Sequence, residues 1–366
     1  MTHGWWIGMV VLLCVTSVLS IVFRKRSIPL QITLNPPKPS CPVVKPPSWY
    51  DRLETVEDFA RYHPVADISV RDVSMISSYA LRSLCDLYPT VQEYVHDTHS
   101  YTIYDPNQYK PLKDAPYIRS VYVYTHWLKP FFEEFWPFTR PLVLVTGMTD
   151  HDATPDTIPD LDHPHLAHWF AQNYNGLPHP KITNLPIGLD YHTLSQNAKS
   201  WGPQQTPKDQ EFSLLSRVET IHRAPCTAGM EAHHHDSAHW RKETRKKVYQ
   251  KLKHEVIPLP KSMKRTELWD IYKMHSFIVS PHGNGLDCHR TWEILALGRI
   301  PIVRTSSLDP LYDGLPVMIL DKYEDLNQER MVTFRQQVED NWEQYEWRRL
   351  TLDYWNKMFH SPWEII

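Results

Sequence analysis

The segment of this 366-residue chain whose residue types and spacing could best carry chemistry is Ser280 to Glu293, SPHGNGLDCHRTWE. Gly283 and Gly285 flank Asn284 in a turn where backbone can approach a ligand closely. Asp287 is placed to cap the helix that follows, and exposed N–H groups at a helix start favour a phosphate oxygen. Arg290, one turn in, can add charge-assisted contacts to a diphosphate, and Glu293 can accept from ribose hydroxyls. A plainer reading stands beside this one: a tight turn followed by an Arg290 to Glu293 pair on a helix surface. A lone Gly-x-Gly does not separate the two.

Other groupings invite a metal or a sugar. Asp150, His151 and Asp152 form an Asp-x-Asp string of the kind that can hold a divalent cation on a diphosphate, and Asp160 with Asp162 makes a second. Such strings also arise by chance, so no metal is assigned to them. His233, His234, His235, Asp236 and His239 look more like ligands, yet consecutive histidines cannot all face one ion and no second ligand group stands at a fixed spacing. That stretch reads as a loop. Trp127, Trp169 and Trp292 could stack on a sugar, although an aromatic at such apolar positions more often fills a core.

These residues need a scaffold, and composition bounds it. With 42% apolar residues, 39 basic against 42 acidic side chains and a net charge of -3, the chain is globular and offers no field for a polyanion, which excludes nucleic acid as a main partner. Strand signals stand at Ser120 to Tyr124, Pro141 to Thr146, Lys181 to Pro186, Ser276 to Ser280 and Ile300 to Val303. The apolar, β-branched run PLVLVT suits a parallel sheet covered on both faces. Helical patterns cover Val73 to Tyr94, Leu128 to Phe135, Trp240 to His254, Glu267 to Lys273, about Cys288 to Leu297 with Gly298 at C′, and the tail Val338 to Phe359. An α/β class follows. The polar stretch between Ser195 and Glu211 reads as the boundary between two halves.

The amino-terminal part is of another kind. Trp5 to Phe23 is nineteen residues without a charge, nearly enough to span a bilayer, and reads as an uncleaved anchor. Asn35 to Pro47, NPPKPSCPVVKPP, is an extended proline stem. Residues 1–23 are thus a short stub and anchor, 24–48 the stem, 49–205 and 206–330 the two halves, and 331–366 a helical tail that packs back on the body. Arg24, Lys25 and Arg26 after the anchor argue for a cytosolic body. Cys41, Cys85, Cys226 and Cys288 form no framework that assigns an oxidising compartment.

SPHGNGLDCHRTWEILALGRIPIV with LDPLYDGLPVMIL resembles the carboxyl-terminal signature of the exostosin-like glycosyltransferases, the family 47 type. WFAQNYNGLPHPKITNLPIGLD at Trp169 to Asp190 and LVTGMTD at Leu144 to Asp150 are similar to that family's amino-terminal signatures. The resemblance covers roughly Val121 to Leu320. It implies a GT-B fold, two Rossmann-like halves facing across a cleft, and inverting transfer from a nucleotide sugar to a glycan or glycoconjugate acceptor. It implies no metal and no cofactor, and it places the body in a Golgi-type lumen, a reading taken here over the three flanking charges.

Carried over by position, the resemblance puts the donor against His282, Gly283, Asn284, Gly285, Arg290 and Glu293, with the diphosphate near Arg245 of RKKVYQKL. Arg245 could equally belong to a solvated basic helix face. The general base must lie in the acceptor half, and Asp150, after the buried run PLVLVTG at a strand's carboxyl end, is placed for it. It could also merely cap a loop. The family's usual His-Asn-Ser-Asp is here Gly147, Met148, Thr149 and Asp150, so the acid is kept and its neighbours are not. Beside a membrane-anchored glycosyltransferase stand two rivals: a nucleotide- or sugar-binding protein without turnover, and a metal-dependent enzyme using the Asp-x-Asp string or the histidines.

Overall fold

Val121, Tyr122, Val123, Val143, Leu144 and Val145 have essentially no exposed surface, because the strands that carry them are covered on both faces. The computed structural model describes residues 73–89, 104–196, 201–203, 205–219, 221–232, 244–261 and 263–363. The anchor, the stem and the histidine loop from His233 to His239 lie outside the described residues. No helix among those described is long and apolar enough to cross a membrane.

Two parallel sheets make up the body. The first has the order β1 (Ser120–Tyr124), β2 (Leu142–Gly147), β3 (Leu166–Gln172), β4 (Ile182–Leu185). All three pairings are parallel, with Tyr122 opposite Val145 and Val145 opposite Phe170. The strands expected at Ser120, Pro141 and Lys181 are therefore present, whereas β3 lies in a stretch where no strand was expected.

The second sheet has the order β6 (Val256–Pro258), β5 (Ala228–Met230), β7 (Phe277–Val279), β8 (Ile300–Arg304), β9 (Met318–Leu320), again all parallel. The chain runs outward from β5 to β6, then returns to the other side of β5 at β7. That reversal is a switch point at the carboxyl ends of β5 and β7, the kind of crevice where doubly wound sheets receive ligands. The change from one sheet to the other falls between Leu185 and Ala228.

The helices place the rest. In chain order they are α1 (Ser78–Arg82), α2 (Pro111–Asp114), α3 (Leu128–Phe135), α4 (Tyr191–Gln196), α5 (Pro207–Leu215), α6 (Arg245–Leu252), α7 (Arg265–Tyr272), α8 (His289–Ala296), α9 (Gln328–Asp340) and α10 (Leu352–His360). α3 covers its expected residues. α8 ends at C-cap Leu297, with Gly298 beyond it at φ +72°, a left-handed conformation that glycine adopts without a side-chain penalty.

Two helical readings are corrected. The apolar spacing from Val73 onward does not give one long helix, since α1 is five residues long. The Asp86 carboxylate instead accepts the backbone N–H groups of Arg119 and Ser120, and Leu87 joins the edge of β1 by a parallel bridge to Val121. Nor is the tail one helix: α9 stops at Asp340, and short 3-10 turns at Trp342–Gln344 and Trp347–Leu350 precede α10. Burial explains the misreading, because Trp342, Trp347, Leu350 and Trp355 all enter the core whether or not one helix carries them. The tail does pack back, with the Phe359 ring 4.8 Å from that of Phe170 on β3 and Thr351 bridged to Met75.

Candidate functional site

The crevice between β5 and β7 collects charge. Glu231 follows β5 directly, and Arg290 lies in the first turn of α8, after the loop that leaves β7. Arg290 Nε donates to Glu231 Oε1 at 2.6 Å, while the Tyr272 hydroxyl of α7 makes a short bond to the same oxygen. Burial by itself would raise the Glu231 carboxyl, but Arg290 and then Arg245 hold it at about 2. Arg245, the first residue of α6, is in turn lowered by burial and by the repulsion of Arg290. Two guanidinium groups thus face one carboxylate, which leaves a net positive charge where two helices begin. Arg290 is only 8% exposed, and its Nη1 has no hydrogen-bond partner among the described residues. A buried cationic donor left open in this way is costly unless an anion takes it up.

The loop that supplies this helix is built for a second purpose. His282 Nδ1 donates to the Leu286 carbonyl at 2.7 Å and ties the ends of the Gly283–Asn284–Gly285 turn. A Cβ on Gly285 would stand 2.8 Å from Asn173 Nδ2, so this glycine lets the loop pass against the end of β3. A Cβ on Gly283 would meet only Cys288 Sγ, at 3.1 Å. Neither glycine has a positive φ, and Asn284 is partly exposed. Asp287 is not the helix cap. Cys288 holds the N-cap position without a side-chain bond, and Asp287 is buried, accepting from the N–H groups of Ile187 and Cys288 and from Trp292 Nε1. Burial pushes its carboxyl up to about 6 against these bonds.

Glu293 does not open to a ligand. One of its oxygens accepts from Arg265 Nη2 at 2.5 Å and the other from Trp269 Nε1 at 3.2 Å, in a wall where it is 3% exposed. Its place is beneath α8 rather than in the crevice.

A cleft of about 230 Å³ adjoins the carboxyl ends of the first sheet, lined by Tyr79, Asp150, Gln172, His192 and His289 among others. Asp150 is exposed, three residues past β2, and its charge reaches Cys288 across the gap. Met148 at φ 58° and Asn173 at φ 55°, the residues after the neighbouring strands β2 and β3, are left-handed, a conformation that asparagine tolerates and methionine adopts at a cost. His289, next to Arg290, therefore stands where the cleft beside Asp150 meets the charged crevice.

Sequence reasoning missed part of this wall. Asp190, His192 and His289 bring three ligating atoms within 4.8 Å of one another. Asp190 also faces Arg265 Nη2 at 3.1 Å. Burial would raise Asp190, yet Arg265, His192 and His289 keep it well below the ordinary carboxylate range, while burial lowers His289 to about 4. His289 stood inside SPHGNGLDCHRTWE and Asp190 at the end of a quoted signature, but no spacing rule joins residues so far apart. The three tryptophans offered for stacking are all core: Trp127, Trp169 and Trp292 are at most 5% exposed. Neither Asp-x-Asp string converges on an ion site among the described residues. Asp152 bonds Asn175 Nδ2, and Asp160 turns to the N–H of Asp162.

No protein-family model and no curated protein matches the chain. Among solved structures, it is similar to a crystal structure of an alpha1,3-fucosyltransferase with GDP-fucose, at 11% identity and a TM-score of 0.29, covering 68% of this chain and 89% of that one. A likeness this loose carries no argument about activity.

Proposed function

We propose that the chain is a glycosyltransferase of the GT-B, exostosin-like type, moving a sugar from a nucleoside-diphosphate donor to a glycan or glycoconjugate hydroxyl with inversion. The observation that carries the proposal is the open Nη1 of Arg290, buried beside Arg245 at the point where the second sheet reverses its strand order. A leaving nucleoside diphosphate gains negative charge as the glycosidic bond breaks, and two guanidinium groups at helix starts can take it up without a metal. The sugar then extends toward His289 and the cleft that Asp150 borders, where an acceptor hydroxyl can approach the anomeric carbon from the face opposite the diphosphate. Asp150 is a carboxylate on the acceptor side, able to bind that hydroxyl or to take its proton.

The anchor and stem belong to the same proposal, holding the catalytic body off a Golgi-type membrane on the lumenal side. The test is calorimetric titration of the protein with uridine and guanosine diphosphates. Binding that is lost in Arg290→Ala supports the donor site, and absence of binding to either by the unaltered protein sinks it. A binding protein without turnover is the second reading, favoured by Gly147, Met148 and Thr149 in place of the family's residues. Release of nucleoside diphosphate from a nucleotide sugar separates the two.

A further inference from the structure

We infer that the proton of the acceptor hydroxyl is taken by the imidazole of His192, with Asp190 as its positioning residue; this rests on the glycosyl-transfer reading above. Asp190 Oδ1 lies 3.0 Å from His192 Nδ1. An ionised carboxylate only accepts, so Nδ1 must carry the hydrogen, and in the neutral ring the lone pair is then on Nε2. Nε2 makes no hydrogen bond among the described residues, and the ring lines the cleft, stacked 5.8 Å from Tyr79, with about a third of the side chain exposed.

The carboxylate behind it is fixed from several sides. Asp190 accepts from the Thr193 N–H at 3.1 Å and faces Arg265, itself held by Glu293 and by the Trp201 ring 5.4 Å away. A base oriented by a third group that is itself immobile is the arrangement a general base needs. Asp150 has no such support, since it is exposed and nothing among the described residues bonds its carboxylate. His289 is excluded by its environment, because burial lowers it to about 4 and its Nδ1 is committed to the Gly188 carbonyl.

The same three residues could be taken for a metal site. Asp190 argues against it, since its oxygens already serve His192, Thr193 and Arg265, and a guanidinium at 3.1 Å repels a second cation. In the step assigned to His192, the acceptor O–H proton passes to Nε2 while the acceptor oxygen bonds the anomeric carbon. The bond from that carbon to the phosphate oxygen breaks, and its electron pair leaves with the diphosphate. The imidazolium then returns its proton to solvent.

The full chain is assayed with uridine and guanosine diphosphate sugars, with water or an added sugar as acceptor. His192→Ala is expected to lower kcat by about 10²- to 10⁴-fold, with donor KM and nucleoside diphosphate affinity within about threefold and partial rescue by free imidazole. Asp190→Asn should lower kcat at unchanged donor KM, and His192→Gln serves if the alanine variant does not fold. Unchanged kcat in a folded His192 variant, a loss confined to KM, or a loss in Asp150→Asn larger than in His192→Ala overturns the inference while leaving the transferase reading intact. Turnover abolished by EDTA and restored by zinc overturns it in favour of a metal at the cluster. An unaltered protein that binds no nucleoside diphosphate sinks both.

Discussion

The carboxylate of Asp287 accepts the backbone N–H of Ile187 at 2.7 Å, joining the loop that begins helix α8 to the segment leaving β4 of the other sheet. Asn173 strengthens the join, accepting the Asp287 N–H at 2.8 Å and donating to the Thr149 carbonyl at 2.9 Å. The charged crevice and the cleft beside Asp150 are thus held in one arrangement by a buried acid and an amide.

That acid carries a pH signature. Asp287 is raised in the fold to about 6, so between pH 4 and 6 the native chain holds a proton that the unfolded chain has released. Its contribution to stability is full below the unfolded value and is lost as pH rises through 6. Denaturant unfolding of the protein and of Asp287→Asn should give a stability difference that shifts against the native acid by on the order of 3 kcal/mol across this range. A difference independent of pH would mean that Asp287 is ionised throughout.

Arg290→Ala should weaken nucleoside diphosphate binding roughly tenfold or more, the loss of a charge-assisted bond worth about 1.5 to 3 kcal/mol. Arg290→Lys keeps the charge but loses the fork, and should restore only part of it. Titration calorimetry reads both. Equal affinities in all three proteins would remove Arg290 from the donor site.

For Glu293→Ala the expected loss is in stability. Removing this carboxylate from beneath Arg265 and Trp269 should cost on the order of 3 kcal/mol, because among the described residues a buried guanidinium is left with one ion-pair partner, Asp190. Nucleotide affinity should fall less than in Arg290→Ala. The opposite pattern, intact stability with tenfold weaker binding, would return Glu293 to the ribose.

Gly285→Ala drives a Cβ to 2.8 Å from Asn173 and should destabilise by about 1 to 3 kcal/mol. Gly283→Ala, with only a sulfur at 3.1 Å to move, should be milder. Thermal unfolding of the two variants decides whether the tighter glycine serves the join between the sheets.

Topology has its own test. The double change Lys38→Asn with Pro39→Ala creates Asn-Ala-Ser with the native Ser40, an acceptor that becomes glycosylated in microsomes if the body is lumenal. An unmodified site together with a protease-sensitive body would place it in the cytosol.

Local pattern was enough for β1, α3, β2, β4 and the run from β7 through α8 to β8, because their apolar periods and the C′ glycine act over a few residues. It failed for β3, seven residues interrupted by a histidine and a glutamine, and for β5, β6 and β9, which are three residues each; β7 is no longer, but its run FIV is wholly apolar between two serines. Arg290, Asp150 and Arg245 could be singled out from the sequence as chemical groups. Their surroundings could not, since Glu231 meets Arg290 across 59 positions, Asp287 meets Ile187 across 100, and Arg265 lies between Asp190 and Glu293. A charge read in sequence has no defined partner, and only the crossing of the chain between two sheets decides whether it is paired, buried or left open to a ligand.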